Sequence, residues 1–286
     1  MSVPQIYDTA AYRQRRARAE RIGDSFLVRE AADGLAERLA AVKRNFHLAA
    51  DIGSRGESFA ILKHHAQEWV RVDIDANEAL ELPETSLDLA VSVLALHAVN
   101  DLPGLLVQIR RALKPDGLLM AALFGGDTLR ELRDAIGVGE SETRGGISPR
   151  VAPFADVRDM GGLLQRAGFA LPVADVERTT VRYRDFSTLI SDLRAAGETN
   201  ALAKRQKNFL KRSTLVASAK HYADTHADPD GRLRATFDIV YLTGWAPHES
   251  QQQPLRPGSA KMRLADALGT KEQSAGDIAD PTRPKR

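Results

Sequence analysis

Two apolar runs, Leu87 to Val99 and Leu118 to Phe124, flank an amphipathic stretch from Leu102 to Leu113, and this trio constrains the fold more than any other feature of the chain. Runs apolar on both faces suit strands of a sheet covered on both sides, and a helix between two such strands joins them in parallel. The alternation continues upstream. Residues 25–42 carry Phe26, Leu27, Leu35, Leu39 and Val42 at helical intervals, and Phe46 to Ala50 reads as a first strand. Glu57 to His65 then reads as a crossover helix and Trp69 to Asp73 as a strand. Downstream, Lys114-Pro-Asp-Gly117 predicts a turn, Val157 to Ala167 a helix stopped by Gly168, and Val173–Tyr183 and Thr236–Trp245 two more strands. The expectation is an α/β fold with a doubly wound, mostly parallel sheet over 46–246. A helical segment is expected at 1–45, helical insertions at 126–168 and 187–226, and a mobile tail rich in Gln, Pro, Gly, Ser and charge at 247–286.

Composition narrows the chemistry by exclusion. With no cysteine among 286 residues, disulfides, thiolate-held zinc, iron–sulfur clusters and thiol catalysis are out of reach. The net charge of +2 and the scattered basic residues do not form a nucleic-acid footprint. No run approaches the length of about 18 apolar residues that a membrane span needs, and the N-terminus lacks an apolar signal core. Arg13, Arg15, Arg16, Arg18 and Arg21 stand at helical spacing. Such a cluster reads first as a solvated face, with an acidic partner or a transit-like segment as alternatives.

The first strand should end at Asp51-Ile-Gly-Ser-Arg-Gly56. In an open α/β sheet the turn after that strand is where a nucleotide-like ligand meets the backbone. Asp51, Gly53, Ser54 and Gly56 are therefore candidate cofactor residues, although Arg55 and Glu57 stand where a close-approach loop would carry no side chain. An acidic residue about 20 positions past such a loop binds ribose hydroxyls, and Asp73 meets that spacing, with Asp75 next.

Together, His97-Ala-Val-Asn-Asp-Leu-Pro103, Lys114-Pro-Asp-Gly117, Phe124 to Arg133, Gly145-Gly-Ile-Ser-Pro149, Gln165-Arg-Ala-Gly-Phe169 and Gly244-Trp-Ala-Pro-His-Glu-Ser-Gln251 resemble the Rossmann-like class I methyltransferases that use S-adenosylmethionine. Within that family they resemble the subgroup of the mitochondrial complex I assembly factor, a protein-arginine hydroxylase, and its bacterial relatives. The resemblance spans about residues 25–260 and implies S-adenosylmethionine as cofactor. It also implies a protein substrate or assembly partner, such as a respiratory complex subunit; because a convincing transit peptide is lacking, a bacterial, cytoplasmic member is expected. Only 36 residues separate Asp51 from Asp88, so the sheet is expected to be short by one strand–helix module, a unit of about 30 residues. The resemblance also suggests a competing alignment in which Val72 to Pro83 is the adenine-side loop after the third strand, with Asn77 or Glu78 beside the base and the ribose carboxylate lost.

His97, at the exit of the fourth family strand, is the candidate base; Asn100 and Asp101 follow it as candidate substrate-side groups. Gly125-Gly-Asp-Thr128 reads as a turn with Asp127 or Thr128 capping a helix. Residues 139–149 read as part of a lid or docking surface. None of the seven histidines pairs with a carboxylate in a motif that predicts a metal site, so none is expected. Three readings remain open: a methyltransferase, a hydroxylase on the same fold, and an assembly factor whose cofactor site has degenerated. A pocket bearing Asp73 favours the first two; Arg55 filling it favours the third.

Overall fold

The computed structural model describes residues 4–23, 25–252 and 262–271. Its elements run α1 (Thr9–Ile22), α2 (Phe26–Ala41), β1 (Phe46–Ile52), α3 (Ser58–Leu62), β2 (Ala66–Val72), β3 (Leu87–Val93), α4 (Leu102–Ala112), β4 (Leu113–Phe124), α5 (Arg130–Arg144), α6 (Val157–Arg166), β5 (Ala170–Tyr183), α7 (Phe186–Ala195), α8 (Arg212–His226), β6 (Leu233–Trp245) and α9 (Leu264–Leu268). The chain divides into two compact units, one ending at His248 and the other starting at Glu249. Short α9 belongs to the second. Residues 253–261 and 272–286 of the expected mobile tail lie outside the described residues.

Six strands form one sheet in the order β2-β1-β3-β4-β6-β5. The pairs β1–β2, β1–β3 and β3–β4 are parallel, whereas β6 runs antiparallel to both β4 and β5. Period-two alternation assigns the side chains of β4 to opposite faces. Leu118, Met120, Ala122 and Phe124 join the core covered by α2, α5, α7 and α8, while Leu119, Ala121 and Leu123 join the core covered by α4 and α6. The mostly parallel, doubly wound sheet is thus the one that the apolar runs require.

Residues 73–86 hold neither helix nor strand. The sheet is shortened there, and β2 forms its edge. Because β2 pairs directly with β1, Ile52 opposite Val72, the loop that follows belongs to the strand next to β1. The alternative alignment, which places this loop after a third strand, does not hold.

Three local expectations need correction. Lys114 to Gly117 is not a turn between elements but a bulge inside β4: Leu113 pairs with Leu87 and Leu118 with Leu89, and Asp116 adopts φ +64°. Neither Asp127 nor Thr128 caps α5, whose N-cap is Leu129; the Thr128 hydroxyl instead donates to Asp238 O and accepts from Asp238 N, tying the turn to β6. Residues 139–144 are the last turns of α5 rather than a lid, and Gly139 and Glu140 are buried. Glu140 accepts hydrogen bonds from Ser148 and Arg150, which folds the following loop back onto the helix.

Candidate functional site

At the carboxyl edge of the sheet, β1 stops where Gly53 takes φ +64°. A Cβ there would stand 3.0 Å from the Ala95 Cβ and 3.3 Å from the Ile74 side chain, so conformation and space both favour glycine. The Gly53 amide still donates to Val72 O (2.8 Å), and Ser54 Oγ accepts from Val93 N (2.8 Å), which holds the loop against both neighbouring strands. Asp51 is buried beneath it; one carboxylate oxygen accepts from Arg71 Nε at 3.2 Å and the other has no hydrogen-bond partner. Burial pushes its carboxyl up, against the opposing pull of Ser54 and Arg71.

Arg55 lines the cavity above this loop but does not fill it. Its guanidinium turns toward the C-terminus of α7 and donates to the carbonyls of Ala195 and Ala196, groups that a helix end leaves without intrahelical partners. Burial, followed by the nearby Arg16, pushes its pKa down. Gly56 also takes a positive φ, +62°, but it stands at the start of α3 and outside the cavity described next.

That cavity has a volume of about 530 Å³, within the range of about 300–1,000 Å³ usual for small-molecule sites. Gly53, Ser54, Asp73, Ile74 and Ala95 form its sheet side, and Tyr12, Arg13, Arg16 and Glu20 of α1 close it. The Asp73 carboxylate lies at the mouth of β2 without a hydrogen bond to any described residue. Glu78 also lines the cavity, yet its carboxylate accepts from the Asn100 and Asp101 amides (2.7 Å each) and from Asn100 Nδ2 (2.9 Å). Asn77 is exposed and outside the lining, its amide bound to Asp75 Oδ1 in a local turn.

The closing helix is placed from a distance. Asn100 Oδ1 accepts from the amides of Ile6 and Tyr7, both at 2.8 Å. Tyr7 forms an antiparallel bridge to Leu202, and Asp8 caps α1 while pairing with Arg205. Asn100 is therefore a clamp on the N-terminal segment, and Asp101 is the N-cap of α4, accepting from Gly104 N; neither lines this cavity. Arg16 crosses the glycine loop, donating to Gly53 O, to Leu94 O (2.8 Å) and to the Tyr12 hydroxyl (3.0 Å). Of the arginine cluster, Arg13, Arg18 and Arg21 are exposed as expected, but Arg16 faces inward. The signal for this was the spacing of Tyr12, Arg16 and Ala19 on one helical face.

Beyond Tyr12 and Ala98, which line both spaces, lies a second pocket of about 200 Å³. His97 lines it, packed against the rings of Tyr12, Phe124 and Phe154. Its Nε2 is 2.9 Å from Glu198 Oε2, while Nδ1 is buried without a partner. Both side chains are nearly inaccessible, 3% and 10% exposed. Glu198 is delivered by the end of α7: Gly197 at φ +71° donates to Arg194 O and Glu198 N to Leu193 O, a left-handed stop that turns the chain under His97. Burial pushes the Glu198 carboxyl up, but His97, Arg16 and Arg55 outweigh it and hold the group below its ordinary value. Burial likewise pushes the Tyr12 phenol up to about 12, with Arg16 opposing. No sequence pattern joins positions 97 and 198. Away from both cavities, the fold brings His221 and His226 to Asp134, a convergence that no motif predicted.

Residues 33–121 match the family model described as a methyltransferase domain. Arginine-hydroxylase NDUFAF5, mitochondrial, of Dictyostelium discoideum is 44% identical over 197 residues, which is 68% of this chain but only 44% of that protein's length. The protein of that name from Danio rerio is 35% identical over 288 residues, 91% of this chain and 89% of its own. The crystal structure of YcgJ from Bacillus subtilis shares the fold, with a TM-score of 0.51 at 13% identity over 77% of this chain and 99% of that one. With identity of this degree across most of both chains, and a methyltransferase domain over the residues that build the glycine loop and β3, this chain belongs to the methyltransferase-fold family of NDUFAF5.

Proposed function

We propose that the chain is an S-adenosylmethionine-dependent enzyme that binds its cofactor between the Gly53 loop and α1 and acts on a protein side chain in the adjoining pocket. The cofactor of the methyltransferase domain supplies an activated methyl group; the protein supplies binding, orientation and a base. One observation carries this reading: the cavity that holds the Asp73 carboxylate, near Arg16 but in no hydrogen bond to a described side chain, shares the walls Tyr12 and Ala98 with the pocket of His97. Asp73 is suited to ribose hydroxyls, being an acidic group at a strand end 20 residues beyond Gly53. Arg13 and Arg16 suit the carboxylate of the cofactor's amino-acid end, and Gly53 and Ser54 let it approach the backbone. The unpartnered oxygen of Asp51 sits beneath that loop.

The ionised Glu198 favours the proton on Nε2 of His97, which leaves the lone pair on Nδ1. That nitrogen is a base held at the pocket with nothing else to bind. The rings of Tyr12, Phe124 and Phe154 around a carboxylate also suit a guanidinium, in keeping with relatives named arginine hydroxylases. A subunit of respiratory complex I is the partner that the motif resemblance suggests. Hydroxylation of an arginine is the second reading, favoured by the names of those relatives.

Calorimetric titration with S-adenosylmethionine and S-adenosylhomocysteine tests the first step. Micromolar binding, weakened by Asp73→Ala and Asp51→Ala, is expected; a folded protein that binds neither at millimolar concentration overturns the reading. Mass spectrometry of the acceptor then separates the two chemistries, a gained methylene for methyl transfer and a gained oxygen for hydroxylation.

A further inference from the structure

We infer that Asp134, His221 and His226 form a binding site for one divalent first-row transition ion, Zn²⁺ or a close analogue, which joins α5 to α8. Both imidazoles present Nε2 to the same carboxylate oxygen, His221 at 2.9 Å and His226 at 2.8 Å from Asp134 Oδ2. One potential ligand atom from each residue lies within 4.8 Å of the other two. Around a single ion with bonds of about 2.0–2.2 Å, neighbouring donors stand roughly 3.0–3.5 Å apart, so each imidazole nitrogen need move only slightly away from the carboxylate oxygen, while the two nitrogens, within 4.8 Å of each other, settle at a similar separation. Two nitrogens and one oxygen suit zinc, cobalt, nickel or ferrous iron, whereas Mg²⁺ and Ca²⁺ prefer all-oxygen sets.

The frame behind these ligands is rigid. The two helices run antiparallel, Thr143 bonding to Thr214 at one end (2.6 Å) and Asp134 meeting the histidines at the other. Between these points Gly139 permits close approach, since a Cβ there would fall 2.8 Å from the Ser218 backbone nitrogen. The His226 ring stands edge-on to Tyr222 at 5.6 Å, and Tyr222 is itself fully buried with its hydroxyl on Arg234 O (2.7 Å). An ion can still enter. The side chains are 28%, 20% and 47% exposed for His221, His226 and Asp134. Leu132 and Ile136, on the other side of α5, line the pocket of His97, so the ion would brace the outer wall of that pocket without touching the reacting groups. The inference does not depend on the cofactor reading.

The test uses the full chain prepared without a histidine tag, stripped by chelation and titrated with Zn²⁺ or Co²⁺ alone. Expected are one ion per chain by elemental analysis after dialysis, a visible Co²⁺ absorption band, and a melting temperature raised by Zn²⁺ but not by Mg²⁺. His226→Ala and Asp134→Asn should each weaken binding at least tenfold and abolish the thermal response, while circular dichroism and S-adenosylmethionine affinity stay unchanged. A double His64→Ala, His65→Ala variant should bind as the parent does. Absence of stoichiometric binding by the parent overturns the site, as does binding that survives His226→Ala or is lost in the His64/His65 variant.

Discussion

The two cavities that meet at Tyr12 and Ala98 are built on opposite principles. The larger is shaped by the backbone at the sheet edge, where Gly53 turns and α1 closes the space with charged side chains. The smaller is mostly apolar and holds one buried polar pair, His97 and Glu198, brought together across 101 positions. A binding surface made from backbone tolerates side-chain change except where a Cβ intrudes. A buried polar pair tolerates almost none, because removing either partner leaves the other unsatisfied in a low-dielectric space.

Substitutions can break this division of labour. The largest effect is expected for His97→Ala and Glu198→Gln, which should slow methyl transfer by about 10²–10⁴-fold, the usual contribution of a positioned base. Cofactor affinity measured by calorimetry should stay at the parent value; a matching loss of affinity would show that the two cavities are not separate. Gly53→Val comes next, because a β-branched residue at φ +64° beside Ala95 carries about 1–3 kcal/mol of strain. S-adenosylmethionine affinity should fall about tenfold or more, with a smaller loss for Gly56→Ala, which is strained at φ +62° but lies in open space outside the cavity.

Gly139→Leu probes the helical pair instead. Overpacking against Ser218 should cost about 1–3 kcal/mol, read as a lower melting temperature with unchanged cofactor affinity. The smallest expected effect is on acid stability. Glu198 lies below its ordinary value of 4.5 in the folded protein, so its stabilising contribution is complete above that pH and is lost as pH falls through the folded value. Denaturant melts between pH 5 and 3 should show a shallower acid decline in Glu198→Gln than in the parent; equal slopes would dissociate the carboxylate from stability.

Much of the frame was legible because it rests on short-range patterns. The apolar runs of β3 and β4, the amphipathic α4 between them and the Gly53 turn each declare themselves within a dozen residues. The scarcity of chain between Asp51 and Asp88 likewise anticipated a sheet lacking a module. The bulge at Lys114–Gly117 was missed because Pro-Asp-Gly chemistry serves a turn and a bulge equally well. Asn100 and Asp101 were read as substrate groups because they follow His97, but a carboxyamide at a strand exit can as readily hold backbone, and here it holds Ile6 and Tyr7. Arg16 hid within a cluster of which Arg13, Arg18 and Arg21 are exposed.

Local periodicity and spacing by themselves determined the layered α/β frame and the Gly53 turn at its carboxyl edge, since strand and helix signals act over short distances; the register that puts Asp73 at the mouth of the strand beside β1 came only with the pairing of β2 to β1. Tertiary structure alone decided which charged and polar side chains meet. Glu198 under His97, Arg16 over Gly53, and Asp134 between His221 and His226 all depend on how separate elements pack. Side chains so far apart in sequence become neighbours only after burial of the apolar faces has set the positions of their helices.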